Sequence, residues 1–320
     1  MKIFGTIAVC ALCAALPTGA AAQTFPSKPI RLIVAFPPGG ATDTFSRVLA
    51  AEITQTLGQP VVVENRPGAG TTIAADYVAK AAPDGHTLLF TDLSTHTITA
   101  SLYTKLPYDP LKSFAPVAAA NSSPLLLVVH PSVSVKSVKE LIAAAKRQPG
   151  IACGNSGVGT VTHMTAEKFR MRAAIEVTPV SYKGGNLPVV ALLGGEIAML
   201  FATVPASIEH VRAKKLVALG VAADRRSPFF PEIPAIGETL KGVEGAVISG
   251  ILAPAGTPRI VVDRLNAEFV KASGAPKVKE IYATNAAEAL TLSPSALQQA
   301  LERDTKAWAA VVKATGVKVN

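Results

Sequence analysis

The chain alternates short apolar runs with stretches whose apolar residues recur every three to four positions. The first run, Ile30 to Phe36 (IRLIVAF), is apolar except for Arg31 and predicts a strand covered on both faces. Phe45, Val48, Leu49, Ile53 and Leu57 then recur at helical spacing, and Gly58 supplies the stop. PVVVEN predicts a second strand, Thr71 to Lys80 a second helix and HTLLFTD a third strand. Strand and helix alternating at this spacing imply parallel pairing through right-handed crossovers. The pattern resumes with PLLLVVHP, a helix over Ser137 to Gln148, GIACGNS and a helix after Thr162. IEVTPVSY, EIAMLFAT, a helix over Pro205 to Lys214 and KLVALGVA follow. Helices from Arg259 to Ala272 and from Ser293-Pro294 through Trp308 close the chain.

This is an α/β pattern, and at 320 residues it exceeds what one hydrophobic core usually holds. Two lobes are expected, each a mostly parallel sheet flanked by helices. FAPVAAANSSP (Phe114 to Pro124) and GAVISGILAP (Gly245 to Pro254) are extended in character and suit chain crossings between lobes. Two crossings place residues 23–121 and 250–320 in the first lobe and 122–249 in the second, with a cleft between them.

The ends and the composition narrow the function. Lys2, the apolar run from Ile3 to Leu16 and the small residues Ala20-Ala21-Ala22 before Gln23 read as an export signal over residues 1–22. Cys10 and Cys13 fall inside it without a small residue before either, so no lipid anchor is expected, and Cys153 stands alone as a buried small residue. The formal net charge is +9, of which Lys2 in the leader carries one, and this favours anionic partners. The basic residues are dispersed and aromatics make up only 5%, which argues against nucleic acid. His86, His96, His130, His163 and His210 lack partners at metal-ligand spacing, so neither metal nor cofactor is expected.

Three segments after strands carry candidate chemistry. In Pro37-Pro38-Gly39-Gly40-Ala41-Thr42-Asp43 the prolines stiffen the exit from the strand and the glycines bare the backbone. The first N–H groups of the following helix lack intrahelical partners, which makes an anion site. A plain strand-to-helix turn explains the same residues. Asp43 is also the ordinary acidic answer to a helix dipole, and Thr42 suits a cap or a ligand donor equally. In CGNSGVGTVTH (Cys153 to His163), Gly154, Gly157 and Gly159 expose the main chain while Asn155, Ser156, Thr160 and Thr162 supply short polar groups. A dinucleotide fingerprint there lacks its third glycine, and Ser156 is not in a nucleophile elbow. In TDLSTHTIT (Thr91 to Thr99), read as a loop, Ser94, Thr95 and His96 can reach a cleft at the carboxyl ends of strands.

With these features together, the chain resembles the solute-binding proteins of tripartite tricarboxylate transporters. The strings that carry the resemblance run from about Phe25 to the last helix. They are FPSKPIRLIVAFPPGGATD, LGQPVVVENRPGAGTTIAA, AAPDGHTLL, LPYDPLKSFAPVA, YKGG, LLGGEIAMLF, RSPFFPEIPAIGE and LAPAGTP. The resemblance implies a two-lobed, type II-like periplasmic binding protein, monomeric, that closes on a small carboxylate and hands it to a membrane permease. By matching position it implies a site of Pro38, Gly39, Gly40, Ala41, Thr42 and Asp43 with Ser94, Thr95 and His96. Across the cleft it adds Asn155, Ser156, Gly157, Gly159, Thr160 and His163, with Tyr182, Phe201, Ala202 and Thr203 as walls. Where the family often carries an Asp-Asn pair after Met-Phe, this chain has Ala202-Thr203, and where it often has an aromatic pair before the returning strand, VISG stands here. Both changes leave the pocket roomier or less polar, which favours a bulky diacid such as terephthalate. A ligand sensor for a receptor and an exported α/β enzyme are the alternatives, and no acid–base pair or nucleophile converges in the sequence to favour the enzyme.

Overall fold

The computed structural model describes residues 25–319; the export signal expected over 1–22 lies outside them. The elements follow the expected alternation: β1 (Ile30–Val34), α1 (Ala41–Leu57), β2 (Val61–Asn65), α2 (Thr72–Ala79), β3 (Thr87–Asp92) and α3 (Leu93–Leu102). Next come β4 (Phe114–Val129), α4 (Val138–Arg147), β5 (Ile151–Asn155), α5 (Val161–Ala173), β6 (Val177–Ser181) and α6 (Asn186–Leu193). The chain continues with β7 (Met199–Thr203), α7 (Val204–Arg212), β8 (Val217–Val221), β9 (Ala246–Pro254), α8 (Arg259–Ser273) and α9 (Pro276–Thr284). It ends with β10 (Glu288–Ala289) and α10 (Pro294–Thr315).

One sheet of order β2-β1-β3-β9-β4-β7-β5-β6 runs through the molecule, with β8 and β10 also paired to β4. The βαβ units pair in parallel, β1 with β2 and β3, and β5 with β6 and β7. β4 and β9 are antiparallel to their neighbours. β4 is one 16-residue strand that fuses the first crossing segment with the strand read after it. Its residues from Phe114 to Pro124 pair with β9, and those from Leu125 onward pair with β7 and β8, so it belongs to both halves of the sheet. Pro116 fits because the register shifts beside it.

Each half is layered helix–sheet–helix. In the first, Phe45, Leu49 and Phe269 pack on one face of the sheet, and Ala75, Val78 and Leu301 on the other. In the second, Val189, Leu192 and Ile208 cover one face, while Leu141, Met164 and Phe169 cover the other together with Ile98 and Trp308. The last helix therefore spans both cores, with Leu297 and Leu301 in the first and Trp308 and Val312 in the second. Cys153 is buried and unpaired, and burial pushes its thiol up to about 12. Gly250 lies where β9 presses on α3: a β-carbon there meets the Leu93 side chain and stands 3.0 Å from the Ala118 carbonyl. Gly250→Ala is expected to cost about 1–3 kcal/mol by overpacking, read as a fall in Tm of about 2–4 °C per kcal/mol.

The segment Leu93 to Leu102, read as a loop, is a helix. Its Ser and Thr residues hide the helical period because nearly every side is buried: Leu93 through Thr99 are all buried. Asp92 starts it, its carboxylate accepting the Ser94 and Thr95 N–H groups.

Candidate functional site

After β1 the chain passes Pro37-Pro38 and turns at Gly39, whose φ of +82° suits glycine. Gly40 caps α1 in extended conformation without any side-chain hydrogen bond to the helix. The first intrahelical bond is Thr44 N–H to the Gly40 carbonyl, so the N–H groups of Ala41, Thr42 and Asp43 have no partner within the helix. Asp43 folds back on its own loop. Its carboxylate accepts Gly39 N–H at 2.9 Å, Arg47 Nε at 3.0 Å and Asn65 Nδ2 at 2.8 Å. Burial pushes this carboxyl up, but those donors outweigh burial and hold it below the usual range. The acid therefore ties the loop and leaves the helix terminus to other anions.

The loop after β5 is built the same way from different groups. Asn155 Oδ1 accepts Gly157 N–H, and the Gly159 N–H donates to His163 Nδ1 at 3.1 Å. The hydroxyls of Ser156, Thr160 and Thr162 form a triangle with sides of 2.8–3.2 Å at the start of α5. Thr160 caps this helix without a side-chain bond to it. The first N–H of α5, from Val161, reaches across to Thr95 Oγ1 at 3.1 Å.

Two further helices begin at the same place. Gly184 (φ +94°) and Gly185 lead into α6, and Thr203 leads into α7; neither helix has a side-chain cap. Asn186 Nδ2 donates to the Gly39 carbonyl at 3.2 Å, and a β-carbon at Gly184 would stand 2.9 Å from Pro37 Cγ. The two halves of the molecule thus touch at the mouth of a cavity of about 340 Å³. Phe36, Pro37, Pro38, Gly40, Ala41, Thr42, Asp92 and Thr95 line it from one side, with Val247 of β9. Ser156, Thr160, Val161, Thr162, residues 183–187 and Thr203 line it from the other. Four helix N-termini without a bond from their own N-cap side chain, of α1, α5, α6 and α7, meet there, the first N–H of α5 being held by Thr95, and Lys183 is the basic side chain in the lining. Unpartnered N–H groups at the positive ends of helices stabilise an anion without a bulky cationic side chain.

Of the residues expected at the site, Pro38, Gly40, Ala41, Thr42, Thr95, Ser156, Thr160 and Thr203 line the cavity. Gly39, Asp43, Asn155, Gly157, Gly159 and His163 stand behind it and hold the two loops in shape. The others point elsewhere. Ser94 faces a crevice on the opposite side of β9, its hydroxyl on the Ala246 carbonyl. His96 is wholly buried against Tyr108 and Phe114, with Nε2 2.8 Å from the Pro110 carbonyl. Burial pulls its imidazole down to about 4, so it is neutral and offers an anion no charge. Phe201 packs on Phe169, Ala202 lies in the core of the other sheet face, and Tyr182 packs beside that core outside the cavity lining. The main additions are Asp92 and the segment Lys183 to Leu187. Gly184-Gly185 before an apolar run repeats the signal of Gly39-Gly40 before α1, and Asp92 bears the signal of a helix cap. Among the described residues no cluster of three or more His, Cys, Asp or Glu is arranged to hold a metal, and no helix is long and apolar enough to cross a membrane.

A donor-lined cavity shut between two halves that share crossing strands defines a two-lobed binding protein of the periplasmic type. The sequence model of the tripartite tricarboxylate transporter family receptor matches residues 45–317, and the chain belongs to that family. It is similar to three solved structures. Periplasmic binding protein BugD is 31% identical with a TM-score of 0.86, covering 92% of this chain and 99% of that one. Rpa4515 of R. palustris with adipate is 32% identical with a TM-score of 0.87, covering 91% and 98%. MatC (Rpa3494) of Rhodopseudomonas palustris with bound malate is 33% identical with a TM-score of 0.83, covering 90% and 100%.

Proposed function

We propose that the protein captures a small carboxylate between its lobes outside the cytoplasm and delivers it, as a monomer, to the permease subunits of a tripartite transporter. The observation that carries this reading is the meeting of four helix N-termini, from both halves of the sheet, on one cavity, none of them capped by its own N-cap side chain. Micromolar capture needs about 8 kcal/mol. Hydrogen bonds to a charged group contribute roughly 1.5–3 kcal/mol each, and a helix terminus about 0.3–2 kcal/mol. One loop falls short of that once association costs are included, and two facing loops reach it. A carboxylate held from both sides favours the closed form because only that form presents both sets of donors. The lobes are residues 23–121 with 250–320, and 122–249. The change of β4 partners after Pro124 supports that division, with α10 spanning both cores.

The adipate and malate of the similar structures support a small dicarboxylate as the ligand. Phe36, Pro37, Val161, Leu187 and Val247 in the lining supply apolar walls for a diacid body such as that of terephthalate. A thermal-shift screen of adipate, malate, terephthalate and citrate, followed by calorimetry, tests this. A micromolar Kd for at least one acid is expected, and no response to any of them counts against the reading.

A further inference from the structure

One feature of the cavity works against an anion. Asp92 is 1% exposed, lines the cavity and, among the described residues, has no basic side chain near enough to act on its carboxyl. Each of its oxygens accepts two donors. Oδ1 takes the N–H groups of Ser94 and Ile248, both at 3.1 Å. Oδ2 takes Thr95 N–H at 3.2 Å and the Thr95 hydroxyl at 2.5 Å. Burial nevertheless pushes this carboxyl up to about 6, and the four donors do not cancel it.

The groups around Asp92 leave it alone in this respect. On α1, Asp43 is turned to Arg47 and Asn65. On α3, His96 is buried against the Pro110 carbonyl, and β9 presents Val247 and Ile248. On α5, His163 keeps Nδ1 on Gly159 N–H, and burial lowers its basicity. Lys183 is exposed in the loop before α6. A second negative charge entering this cavity faces Asp92 in its lining, and like charges raise the affinity of a carboxylate for a proton.

The geometry also provides a use for that proton. With Asp92 ionised, the Thr95 hydroxyl donates to Oδ2 and accepts from Val161 N–H. A proton on Oδ2 reverses the first bond: Asp92 then donates to Thr95 Oγ1, whose two lone pairs are filled by Asp92 and Val161. The Thr95 hydrogen is freed, and Thr95 lines the cavity. We propose that Asp92 takes up one proton from solvent when a carboxylate binds, and that the Thr95 hydroxyl then turns from Asp92 to the ligand. The inference rests on the carboxylate reading above and deepens it, because the captured species is an acid anion together with a proton. Asp92 also disfavours ligands of high negative charge, so di-acids are expected to bind better than citrate.

Calorimetry of adipate and malate at pH 7 in buffers of different ionisation enthalpy measures the proton directly. Uptake approaching one proton is expected, with affinity falling up to about tenfold per pH unit as pH rises from about 6 to 8. The sign follows from the bound state holding the proton more tightly than the free state. Asp92→Asn, which presents an N–H where the acid form has O–H, is expected to show no uptake and to bind within about twofold of constant affinity over that range. If that variant does not fold, Thr95→Val, which removes the relayed hydroxyl and keeps Asp92, is expected to lose part of the gain in affinity at low pH. Binding without uptake in the wild type, or uptake that survives in Asp92→Asn, overturns the proposal. A pH dependence unchanged in Thr95→Val overturns the hydroxyl relay. Binding of neither probe, nor of any acid in the screen, overturns the carboxylate reading and this inference with it.

Discussion

Gly40→Val is expected to weaken carboxylate binding by at least about tenfold while leaving the fold in place. Gly40 sits at φ −83° and ψ 174°, an extended conformation that valine adopts readily, and a β-carbon there meets nothing nearer than the Pro37 carbonyl at 3.8 Å. The residue caps α1 without a side-chain bond, so little cap energy is at stake, about 1 kcal/mol at most. What changes is the cavity. Gly40 is part of its lining, and the two methyl groups of valine occupy space directly before the free N–H groups of Ala41 and Thr42. Losing one or two charge-assisted hydrogen bonds, at roughly 1.5–3 kcal/mol each, corresponds to about ten- to ten-thousandfold in Kd. Calorimetry beside thermal unfolding checks both halves of the expectation. An unchanged Kd with unchanged Tm removes the α1 terminus from the site.

The loop around Gly40 was open to reading because its signals are local. Two prolines, two glycines and the start of a helical period fall within one short stretch, and so does Arg47, four residues beyond Asp43. The partner that decides the role of Asp43 is not local: Asn65 comes from β2, 22 residues away. The alternation of strands and helices, the parallel pairing within β1–β3 and β5–β7, and the extended character of β4 and β9 were legible for the same reason, since periodicity is a property of neighbouring residues. Periodicity fails where a helix is buried all round. That is why the sequence of α3, with its Ser and Thr residues buried, shows no helical period, and why it does not reveal that His96 is enclosed. Phe201 and Thr203 show the limit of position alone. They lie two residues apart on one strand, yet Phe201 lies wholly in the core while Thr203, at the strand's end, opens α7 and lines the cavity. Asp92 was missed because an acid ending a strand has many uses. Only the folded chain shows it, among the described residues, without a cation and in the lining of the cavity.

Gly184→Val is expected to strike closure instead of the donors. Gly184 stands at φ +94°, and a β-carbon there lies 2.9 Å from Pro37 Cγ and 3.1 Å from Pro37 Cδ. A proline ring cannot swing aside as a long side chain does, so the contact is relieved only if the loop before α6 moves away from the loop before α1. That movement stretches the bond between Asn186 and the Gly39 carbonyl and separates the helix termini that have to face one ligand. The backbone strain of a β-branched residue at positive φ costs about 1–2 kcal/mol in open and closed forms alike, so it lowers Tm without by itself changing affinity. Gly58→Val separates the two effects: Gly58 has φ +70° at the end of α1 with nothing within 4 Å of its β-carbon position. Both variants are expected to lose a few degrees in Tm, and only Gly184→Val is expected to bind about a hundredfold more weakly. Its ligand-saturated form should also stay larger in small-angle scattering than the ligand-saturated wild type. Equal affinities for the two variants mean that the lobes do not need the Gly184–Pro37 contact to hold their ligand.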